Sequence, residues 1–574
     1  MEKTTTFNLQ EKLQKSSYSS IGVYLTRRRR SQHFNHHHPK TTSSSSSSKK
    51  KKYSNNIMFL SQFPPWLPLF IFLSLLIFLI KWKTSSSSRR KRGRFPPSPP
   101  KLPIIGNLHQ LGNLPHKSLW RLSQRYGPIM GLTLGGVETT IISSADAARA
   151  LLKTHDLDSC SRPQSHSVRK LTYNFRDIAF SPYGDYWREI RKICVLELFS
   201  VKRVKSYEPI REQEIGSLIE SIAEFASSAT PVDLTDKSVA LTAAIVFRIA
   251  FGKRFEGGDF RGGRFHELVS EVEAMLGSYS ASEYFAVPFV GKLIDRISGR
   301  HGRLERVFNE LDALFQEVID EHLRPERIKA EEDDIIDVLL GISKQQHQSG
   351  SVAIAHENIK AILLNIFLGG LDTGSITIVW AMAELAKKPK LMKKAQQEIR
   401  KHVGSKGKLS DSDTEELPYL KMMVKETLRL HPPAPLLLPR ETMSHFQIQG
   451  YDFWPKTVVQ VNAWAIGRDP TSWKDPEEFI PERFAERCVD YRGQHFEFLA
   501  FGAGRRICPA LNMGAKTVEF ALANLLYHFD WKLPEGMKEE DLDMEEISGL
   551  SLTIYKKLPL KLVPVVPLPS SMVE

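Results

Sequence analysis

Cysteine is scarce in this sequence, with four residues in 574, and none of them belongs to a CxxC pair. Small disulfide-built domains and paired-thiol zinc clusters need more, so both classes are excluded, and a reducing compartment is favoured. The sequence also lacks an internal repeat. The Gly-x-Gly at Gly502 and Gly504 is not extended to GxGxxG, and therefore gives no support for a dinucleotide site.

Most of the chain has no net positive charge, although the total net charge is +14. Residues 1–57 carry 12 Lys and Arg against 2 Asp and Glu, and residues 81–94 carry seven basic residues and no acidic one. These two segments account for +17, so the remainder has a net charge of −3. Nucleic-acid-binding domains are usually basic, so we expect no nucleic-acid partner.

The segment 1–57 is rich in Ser and Thr and is interrupted by basic and histidine runs. This composition cannot bury enough apolar surface to fold, which predicts a low-complexity basic extension. Two other interpretations stay open, namely a nuclear or organelle targeting segment and a start of synthesis at Met58.

The longest uncharged apolar run spans residues 58–80 and holds 23 residues. At about 1.5 Å per residue, a helix of this length crosses a hydrocarbon core about 30 Å thick. The basic residues in 81–94 predict that the following flank stays in the cytosol. We therefore expect a single-pass transmembrane signal anchor. A cleavable signal peptide is the alternative, but no small-residue cleavage site follows the run.

Residues 81–103 form a basic segment that ends in a proline-rich stretch, which predicts an extended, stiff tether. From 104 to 574 the strongest periodicity is helical, and strand patterns are short, as at Ile129–Leu134 and Thr139–Ile142. No second linker interrupts this part. The sequence therefore predicts one large domain that is mainly α with small β-sheets, an α+β arrangement.

One cysteine lies in a loop suited to hold a thiolate. Residues 501–510 read FGAGRRICPA and are followed by an apolar helical pattern. The glycines allow tight turns near the sulfur of Cys508, while Arg505, Arg506 and the positive end of the next helix favour thiolate over thiol. A buried structural cysteine would not explain two adjacent arginines. The pattern therefore favours a functional thiolate at Cys508.

A second unusual segment lies within a helical pattern from His356 to Lys388, 33 residues that would extend roughly 50 Å. Its middle reads GGLDTG at residues 369–374, and each glycine there costs about 1 kcal/mol relative to alanine. Asp372 and Thr373 stand inside this otherwise apolar stretch. An acid beside an alcohol in such surroundings argues against helix packing alone.

Two further helical patterns place paired side chains on one face. Trp187 and Arg191 are four residues apart, and Glu426 and Arg429 are three apart, just before a break at residues 431–433. Pairs of this kind are common on exposed helices and are worth only a few tenths of a kcal/mol. Alone they indicate no function.

Together these segments resemble the signatures of the cytochrome P450 family. FGAGRRICPA resembles the haem-binding signature Phe-x-x-Gly-x-Arg-x-Cys-x-Gly, matched at Phe501, Gly504, Arg506 and Cys508, with Ala510 in place of the last glycine. The resemblance implies haem b with Cys508 as its axial ligand. It also implies a set of haem-binding residues: Arg506, Trp187, Arg191, Arg440, Phe501 and Gly504.

GGLDTG resembles the central-helix motif of the same family, with Gly374 in place of its final hydroxyl residue. The resemblance implies that Gly369 and Gly370 open the helix groove over the haem for dioxygen. It implies that Asp372 and Thr373 relay protons during oxygen activation.

Glu426 and Arg429, with Arg483 in the stretch FIPERF at 479–484, resemble the Glu-x-x-Arg plus Pro-Glu-Arg-Phe lock of the family. The resemblance implies a buried charge triad that braces the thiolate loop, and loss of one partner would leave an uncompensated charge.

The likeness extends to the A-type, clan 71 group of plant microsomal enzymes through LPIIGNLH at 102–109 and HPPAPLLLPRE at 431–441. It implies an endoplasmic reticulum membrane protein whose catalytic domain faces the cytosol, with NADPH-cytochrome P450 reductase, and cytochrome b5 as a further candidate, as partners. The implied substrate is an apolar small molecule of specialised metabolism. Its cavity is expected among Leu364, Leu368, Leu371, Leu436–Leu438, Asn174–Phe180 and Gly549–Leu552.

Two other functions stay open from the sequence. A haem-thiolate enzyme could catalyse dehydration, isomerisation or peroxide rearrangement without inserting oxygen, and a haem protein could act as a carrier or sensor. The Asp372-Thr373 pair favours a monooxygenase over both, because neither rival needs protons delivered to oxygen.

Overall fold

The computed structural model describes residues 93–253, 260–277, 280–284, 288–327, 332–348, 354–547 and 552–567, together with residues 70 and 74. The predicted extension 1–57 and all of the predicted anchor 58–80 except residues 70 and 74 lie outside the described residues. The chain divides into two units between Gly93 and Arg94, and the elements below belong to the second unit.

The described strands form four small sheets, of which the largest has the strand order β1-β2-β7-β4. In that sheet β1 and β2 are antiparallel, and β7, which comes about 300 residues later, is parallel to β2. The strands are β1 (Ile129–Leu134), β2 (Val137–Ile142), β3 (Val232–Asp233), β4 (Arg440–Glu441), β5 (Phe446–Ile448), β6 (Tyr451–Phe453), β7 (Val458–Val461), β8 (Asp530–Lys532), β9 (Glu546–Ile547), β10 (Tyr555–Lys556) and β11 (Lys561–Val565).

Helices make up most of the described domain and enclose its largest apolar core. The first ten are α1 (Pro115–Tyr126), α2 (Ala145–Arg149), α3 (Asp156–Ser159), α4 (His166–Leu171), α5 (Asp185–Ile193), α6 (Val201–Ser206), α7 (Glu208–Ser227), α8 (Leu234–Phe251), α9 (Phe260–Gly277) and α10 (Ala281–Tyr284). The others are α11 (Pro288–Ile297), α12 (Arg300–His322), α13 (Ile335–Gln348), α14 (His356–Gly370), α15 (Asp372–Lys387), α16 (Pro389–Val403), α17 (Pro418–Leu430), α18 (Ala463–Ile466), α19 (Arg483–Glu486) and α20 (Leu511–His528).

The predicted class, mainly α with small sheets, is confirmed, and both strands predicted at 129–134 and 139–142 are present. The helix predicted from His356 to Lys388 is instead interrupted at Leu371, between α14 and α15. Thr242 of α8 donates a hydrogen bond of 2.6 Å to the Leu371 carbonyl, and the Ser375 hydroxyl lies 3.4 Å from the same oxygen. Side-chain donors that compete for a helix carbonyl bend the helix, which explains the interruption.

Among the described residues, one stretch is long and apolar enough to span a membrane, and it is this same pair of helices, His356–Lys387. The fold buries 61% of its most apolar window. A helix that is apolar and mostly covered by protein is typical of a domain core.

The second half of the predicted tether packs against the domain. The amide of Gly131 on β1 donates to the Pro97 carbonyl at 2.8 Å, and the amide of Asp452 donates to the Arg94 carbonyl at 2.7 Å. The side-chain amide of Asn107 donates to the carbonyls of Pro99 and Pro100. Proline lacks an N–H but keeps its carbonyl acceptor, so this segment can dock through its carbonyls.

Candidate haem site

Cys508 lies at the end of a tight loop, just before α20. Its amide donates to the Phe501 carbonyl at 3.0 Å, and Gly502 and Gly504 adopt left-handed conformations with φ of 71° and 69°. Burial raises the pKa of the thiol, while a hydrogen bond from the Ala510 amide lowers it. The loop thus holds a sulfur with an oriented amide beside it, in surroundings where a lone thiolate is costly and a bound metal ion would stabilise it.

The guanidinium groups of Arg505 and Arg506 bind partners other than this sulfur. Arg505 pairs with Asp156 at 3.2 Å, and Arg506 donates to the Cys160 and Ser181 carbonyls at 2.8 and 2.6 Å. The cation that lowers the pKa of Cys508 is Arg191, which comes from α5. The expectation that the two adjacent arginines stabilise the thiolate is therefore wrong.

Helix α5 brings Trp187 and Arg191 to the loop together, as their spacing predicted. Arg191 Nη2 donates to the Ile507 carbonyl at 2.5 Å. The Arg506 guanidinium lies 4.1 Å from the centroid of the Trp187 ring, whose Nε1 donates to the Ile178 carbonyl at 2.9 Å. Stacking on indole fixes a guanidinium plane without neutralising its charge.

Buried positive charge accumulates beside the loop. Arg440 pairs with Asp156 at 2.6 Å, while Arg162 is held by backbone carbonyls, among them those of Ala179 and Leu438. Burial lowers the pKa of Arg506 to about 9 and that of Arg162 well below its usual value, and repulsion between neighbouring arginines adds to both effects. Asp156 cannot balance all these cations, so the cluster fits a bound dianion such as the two propionates of haem.

The two glycines before Leu371 meet different surroundings. A Cβ added to Gly369 would meet no other atom within 4 Å, whereas one added to Gly370 would lie 2.8 Å from Cγ2 of Val246 on α8. Gly369 therefore provides open space in a helix that is otherwise largely buried, which suits a flat macrocycle or a small ligand. Gly370 is required for the close packing of α8 on α14.

Asp372 and Thr373 are adjacent in sequence but have separate surroundings. The Thr373 hydroxyl donates to the Gly369 carbonyl at 2.7 Å and is partly exposed beside the open position. Asp372 is 3% exposed, and its Oδ2 accepts a hydrogen bond of 2.7 Å from the Tyr555 hydroxyl. The alcohol thus borders the open space, and the acid lies behind it in the protein.

Glu426, Arg429 and Arg483 meet as a buried triad. Glu426 accepts two hydrogen bonds from Arg429, at 2.7 and 2.8 Å, and one from Arg483 at 2.9 Å. The remaining N–H groups of Arg429 donate to the Gly467, Pro476 and Glu478 carbonyls. All five of its donors are therefore used inside the protein.

Trp473 connects this triad to the thiolate loop. The guanidinium carbons of Arg429 and Arg483 lie 5.3 and 5.9 Å from its ring centroid. The same indole meets Phe498 edge to face at 6.4 Å, three residues before Phe501. The triad and the loop thus share one packed aromatic contact.

Comparison with known proteins decides the family. A sequence model described as Cytochrome P450 matches residues 96–560. Cytochrome P450 71B34 of Arabidopsis thaliana is 54% identical over 83% of this chain and 94% of its own length. Cytochrome P450 71B35 of the same plant is 51% identical over 86% of this chain and 98% of its own length. The chain belongs to the cytochrome P450 family.

A zebra fish cytochrome P450 solved with abiraterone has the same fold, with a TM-score of 0.67 over 79% of this chain and all of that one, at 24% identity. The family and its 71B relatives identify this chain as a plant cytochrome P450 monooxygenase. Enzymes of the family use haem b with a cysteine thiolate as axial ligand.

The positions expected to line the substrate cavity of this cytochrome P450 fall into two groups. Phe175, Phe180, Leu438 and Leu552 belong to one small apolar cluster, which brings three of the four predicted segments together. Leu364 and Leu371 are each 1% exposed and pack within the main core, and Leu368 is partly buried against that core. Residues 549–551 lie outside the described residues.

Three residues of this site were missed from the sequence. Asp156 begins α3, Arg162 follows that helix in a loop, and Tyr555 lies in the small β9-β10 sheet. Each is brought to the site by a contact with a residue far away along the chain, and none stands in a recognisable pattern. The unusual burial of a charge identifies Asp156 and Arg162 only once the fold is known.

Proposed function

We propose that this cytochrome P450 is a membrane-bound enzyme that inserts one atom of dioxygen into an apolar small molecule of specialised metabolism, using electrons from NADPH. The observation that supports it most is the partly exposed Thr373 hydroxyl beside the open Gly369 position, with the buried carboxyl of Asp372 on the preceding residue. NADPH-cytochrome P450 reductase would supply the electrons, and cytochrome b5 is a further candidate donor. The catalytic domain proposed from the sequence is 104–574, after the anchor 58–80 and tether 81–103.

In this proposal Cys508 would hold the haem iron through its sulfur, and the haem would supply activation of dioxygen. Arg191, Arg506 and Arg440 would bind the propionates, because their charges are only partly balanced by protein groups. Trp187 would hold the Arg506 plane, while Phe501 and Gly504 shape the loop.

The proposed task of Asp372 and Thr373 is proton delivery. Thr373 borders the open space and would pass a proton from its hydroxyl, while Asp372 would replace that proton from the protein side.

The Thr373→Ala variant tests that assignment. Positioned proton donors contribute a factor of about 10² or more, so we expect product formed per NADPH to fall at least about tenfold, with peroxide released instead. The measurement is peroxide and product per NADPH, with reductase and 7-ethoxycoumarin as probe. Thr377→Ala is the matched control, because Thr377 makes the same kind of backbone bond on the buried side of α15. Unchanged coupling in Thr373→Ala would contradict the role.

Two rival functions have different requirements. A dehydratase, isomerase or peroxide-rearranging enzyme would work without NADPH and dioxygen, so strict dependence on both separates it from the proposed monooxygenase. A carrier or sensor of haem would show no change of iron spin state with apolar compounds. A panel of plant metabolites, tested with purified enzyme and reductase, would identify the substrate and decide between these functions.

Attachment of the catalytic domain to a membrane is supported by one face of α11. Phe289 and Ile297 are 76% and 77% exposed, and three other apolar side chains on this helix are also exposed, namely Val290, Leu293 and Ile294. Their spacing places them along one side of the helix, an arrangement typical of an interfacial helix.

Changing Phe289 and Ile297 together to Asp is therefore expected to weaken binding of the enzyme to phospholipid vesicles. Loss of the apolar contact and the added charge should lower the bound fraction at least about tenfold in a chain without residues 1–80. Flotation of vesicles of endoplasmic reticulum composition measures this. Val201→Asp is the control, because Val201 is 74% exposed on a different helix, α6. Equal flotation of both variants would exclude α11 from the contact.

A further inference from the structure

Asp372 is held by a side chain that no family signature includes. The Tyr555 hydroxyl donates to Asp372 Oδ2 at 2.7 Å. Tyr555 begins β10, which pairs with β9 and packs against α15. This contact joins residues 183 positions apart, so it exists only because the C-terminal strands lie against the central helix.

The hydrogen bonds continue beyond Tyr555 to a second buried acid. The Thr553 hydroxyl lies 3.2 Å from the Tyr555 hydroxyl and 3.3 Å from Oε2 of Glu273 on α9. Glu273 is 4% exposed, and Asp372 is 3% exposed. Two buried carboxylates are thus joined by two hydroxyl groups in a continuous row.

The order of groups in this row suits proton transfer. A hydroxyl both donates and accepts, so it passes a proton on and receives another without a net change. Burial and the charges of Asp372 and Glu273 raise the pKa of Tyr555 well above its usual value, which keeps the phenol protonated. The protonated phenol donates a hydrogen bond to Asp372, and it can pass its proton on only as its oxygen accepts the proton of Thr553.

We propose that Tyr555 is a positioning residue that holds Asp372 and returns protons to it along the row Glu273, Thr553, Tyr555, Asp372. The inference deepens the proposed function and rests on it. The relay starts with a proton on both Asp372 and Glu273. When Asp372 gives its proton up, it takes the Tyr555 hydroxyl proton, Tyr555 takes that of Thr553, and Thr553 takes the one from Glu273. Glu273 regains a proton from solvent. Each hydroxyl loses one proton and gains one, and no electrons move.

His266 offers the competing route to Asp372. Its Nε2 lies 4.0 Å from Asp372 Oδ1, and its side chain is 38% exposed. That distance is too long for a direct hydrogen bond, whereas the Tyr555 contact is short. The proposal therefore predicts that loss of the Tyr555 hydroxyl lowers product per NADPH more than loss of the His266 imidazole.

The test uses the full chain with haem and reductase, and 7-ethoxycoumarin as probe. In Tyr555→Phe we expect product per NADPH to fall about tenfold, because the acid stays but loses its proton supply. Thr553→Val should also lower product per NADPH, whereas Thr553→Ser, which keeps the hydroxyl, should give the wild-type yield. His266→Asn should match the wild type. Tyr207→Phe is the matched control, because the Tyr207 hydroxyl is buried without a hydrogen-bond partner.

A second assay separates proton supply from damage to the site. Cumene hydroperoxide delivers oxygen already protonated, so product formed with it should be the same in Tyr555→Phe and wild type. A merely structural role would lower both yields together and overturn the proposal. So would a Tyr555→Phe variant with the wild-type yield per NADPH, or uncoupling by His266→Asn alone. A wild type that oxidises nothing with either oxidant would instead count against the proposed function.

The contact itself is tested without substrate or electrons. A thermal-unfolding double-mutant cycle of Tyr555→Phe and Asp372→Asn should show that the double variant loses less in midpoint than the sum of the two single losses. Purely additive losses would show that the two groups do not interact, and would overturn the proposal whatever the turnover assays give.

Discussion

Cys508→Ser should yield a folded enzyme that has lost the red-shifted Soret absorption of the carbon-monoxide-treated ferrous protein. Serine keeps the size of the side chain, but its hydroxyl is far weaker as an acid than a thiol and does not replace a thiolate as ligand. The same loop amides, from Cys508 to Phe501 and from Ala510 to the side chain, remain available in the variant. NADPH-dependent oxidation of 7-ethoxycoumarin should fall below detection, which is the largest loss that we expect from one substitution.

The matched control for this variant is Cys488→Ser, because Cys488 is exposed. Its carbon monoxide spectrum and turnover should equal those of the wild type. A thiolate spectrum that persists in Cys508→Ser would show that another cysteine binds the iron, and the proposed site would then be wrong.

Arg429→Ala should give protein without bound haem and of much lower stability. Removing the guanidinium leaves Glu426, which is fully buried, with Arg483 and the Ile480 amide as partners. It also removes the Arg429 donors from the Gly467 and Pro476 carbonyls. Breaking a buried pair in this way costs about 3–5 kcal/mol. The free energy of unfolding in urea and the haem absorbance per protein measure the two effects.

Arg429→Lys should be nearly as harmful, because one ammonium group cannot replace five donors fixed in a plane. Arg400→Ala is the control, since Arg400 pairs with Asp530 in a half-exposed position where such a bond is worth about 1 kcal/mol or less. Normal haem content in Arg429→Ala would contradict the role of the triad.

The sequence was sufficient for the fold class and for the pairs whose members lie close together in it. A spacing of three on a helix brings Glu426 and Arg429 together whatever surrounds them, and a spacing of four does so for Trp187 and Arg191. Local patterns of this kind need no tertiary information. They also predicted the strands at 129–134 and 139–142.

Directions of side chains in turns could not be predicted in the same way. Arg505 and Arg506 stand beside Cys508 in the sequence, yet the turn directs them to Asp156 and to loop carbonyls. The break at Leu371 depends on Thr242, which lies on another helix. Both outcomes are set by partners more than 100 residues away, which no window of sequence contains.

The substitution at position 510 is explained by backbone geometry. Ala510 has φ of −101°, a value that any L residue adopts, so its backbone does not require the glycine usual in the family. Gly502 and Gly504, in contrast, have positive φ values, and a Cβ on Gly504 would lie 2.4 Å from the Leu152 carbonyl oxygen. The loop therefore requires glycine at 504 and tolerates alanine at 510.

The docked proline segment has a practical consequence for preparing this enzyme. β1 is an edge strand, and its outward amides at Gly131 and Thr133 are occupied by the Pro97 carbonyl and by Asn107. Unpaired strand edges recruit other chains and promote aggregation. A shortened protein for crystallisation should accordingly begin before Arg94. A chain that begins after residue 103 would lack the Pro97 carbonyl, leave the Gly131 amide without its partner and expose an unpaired strand edge.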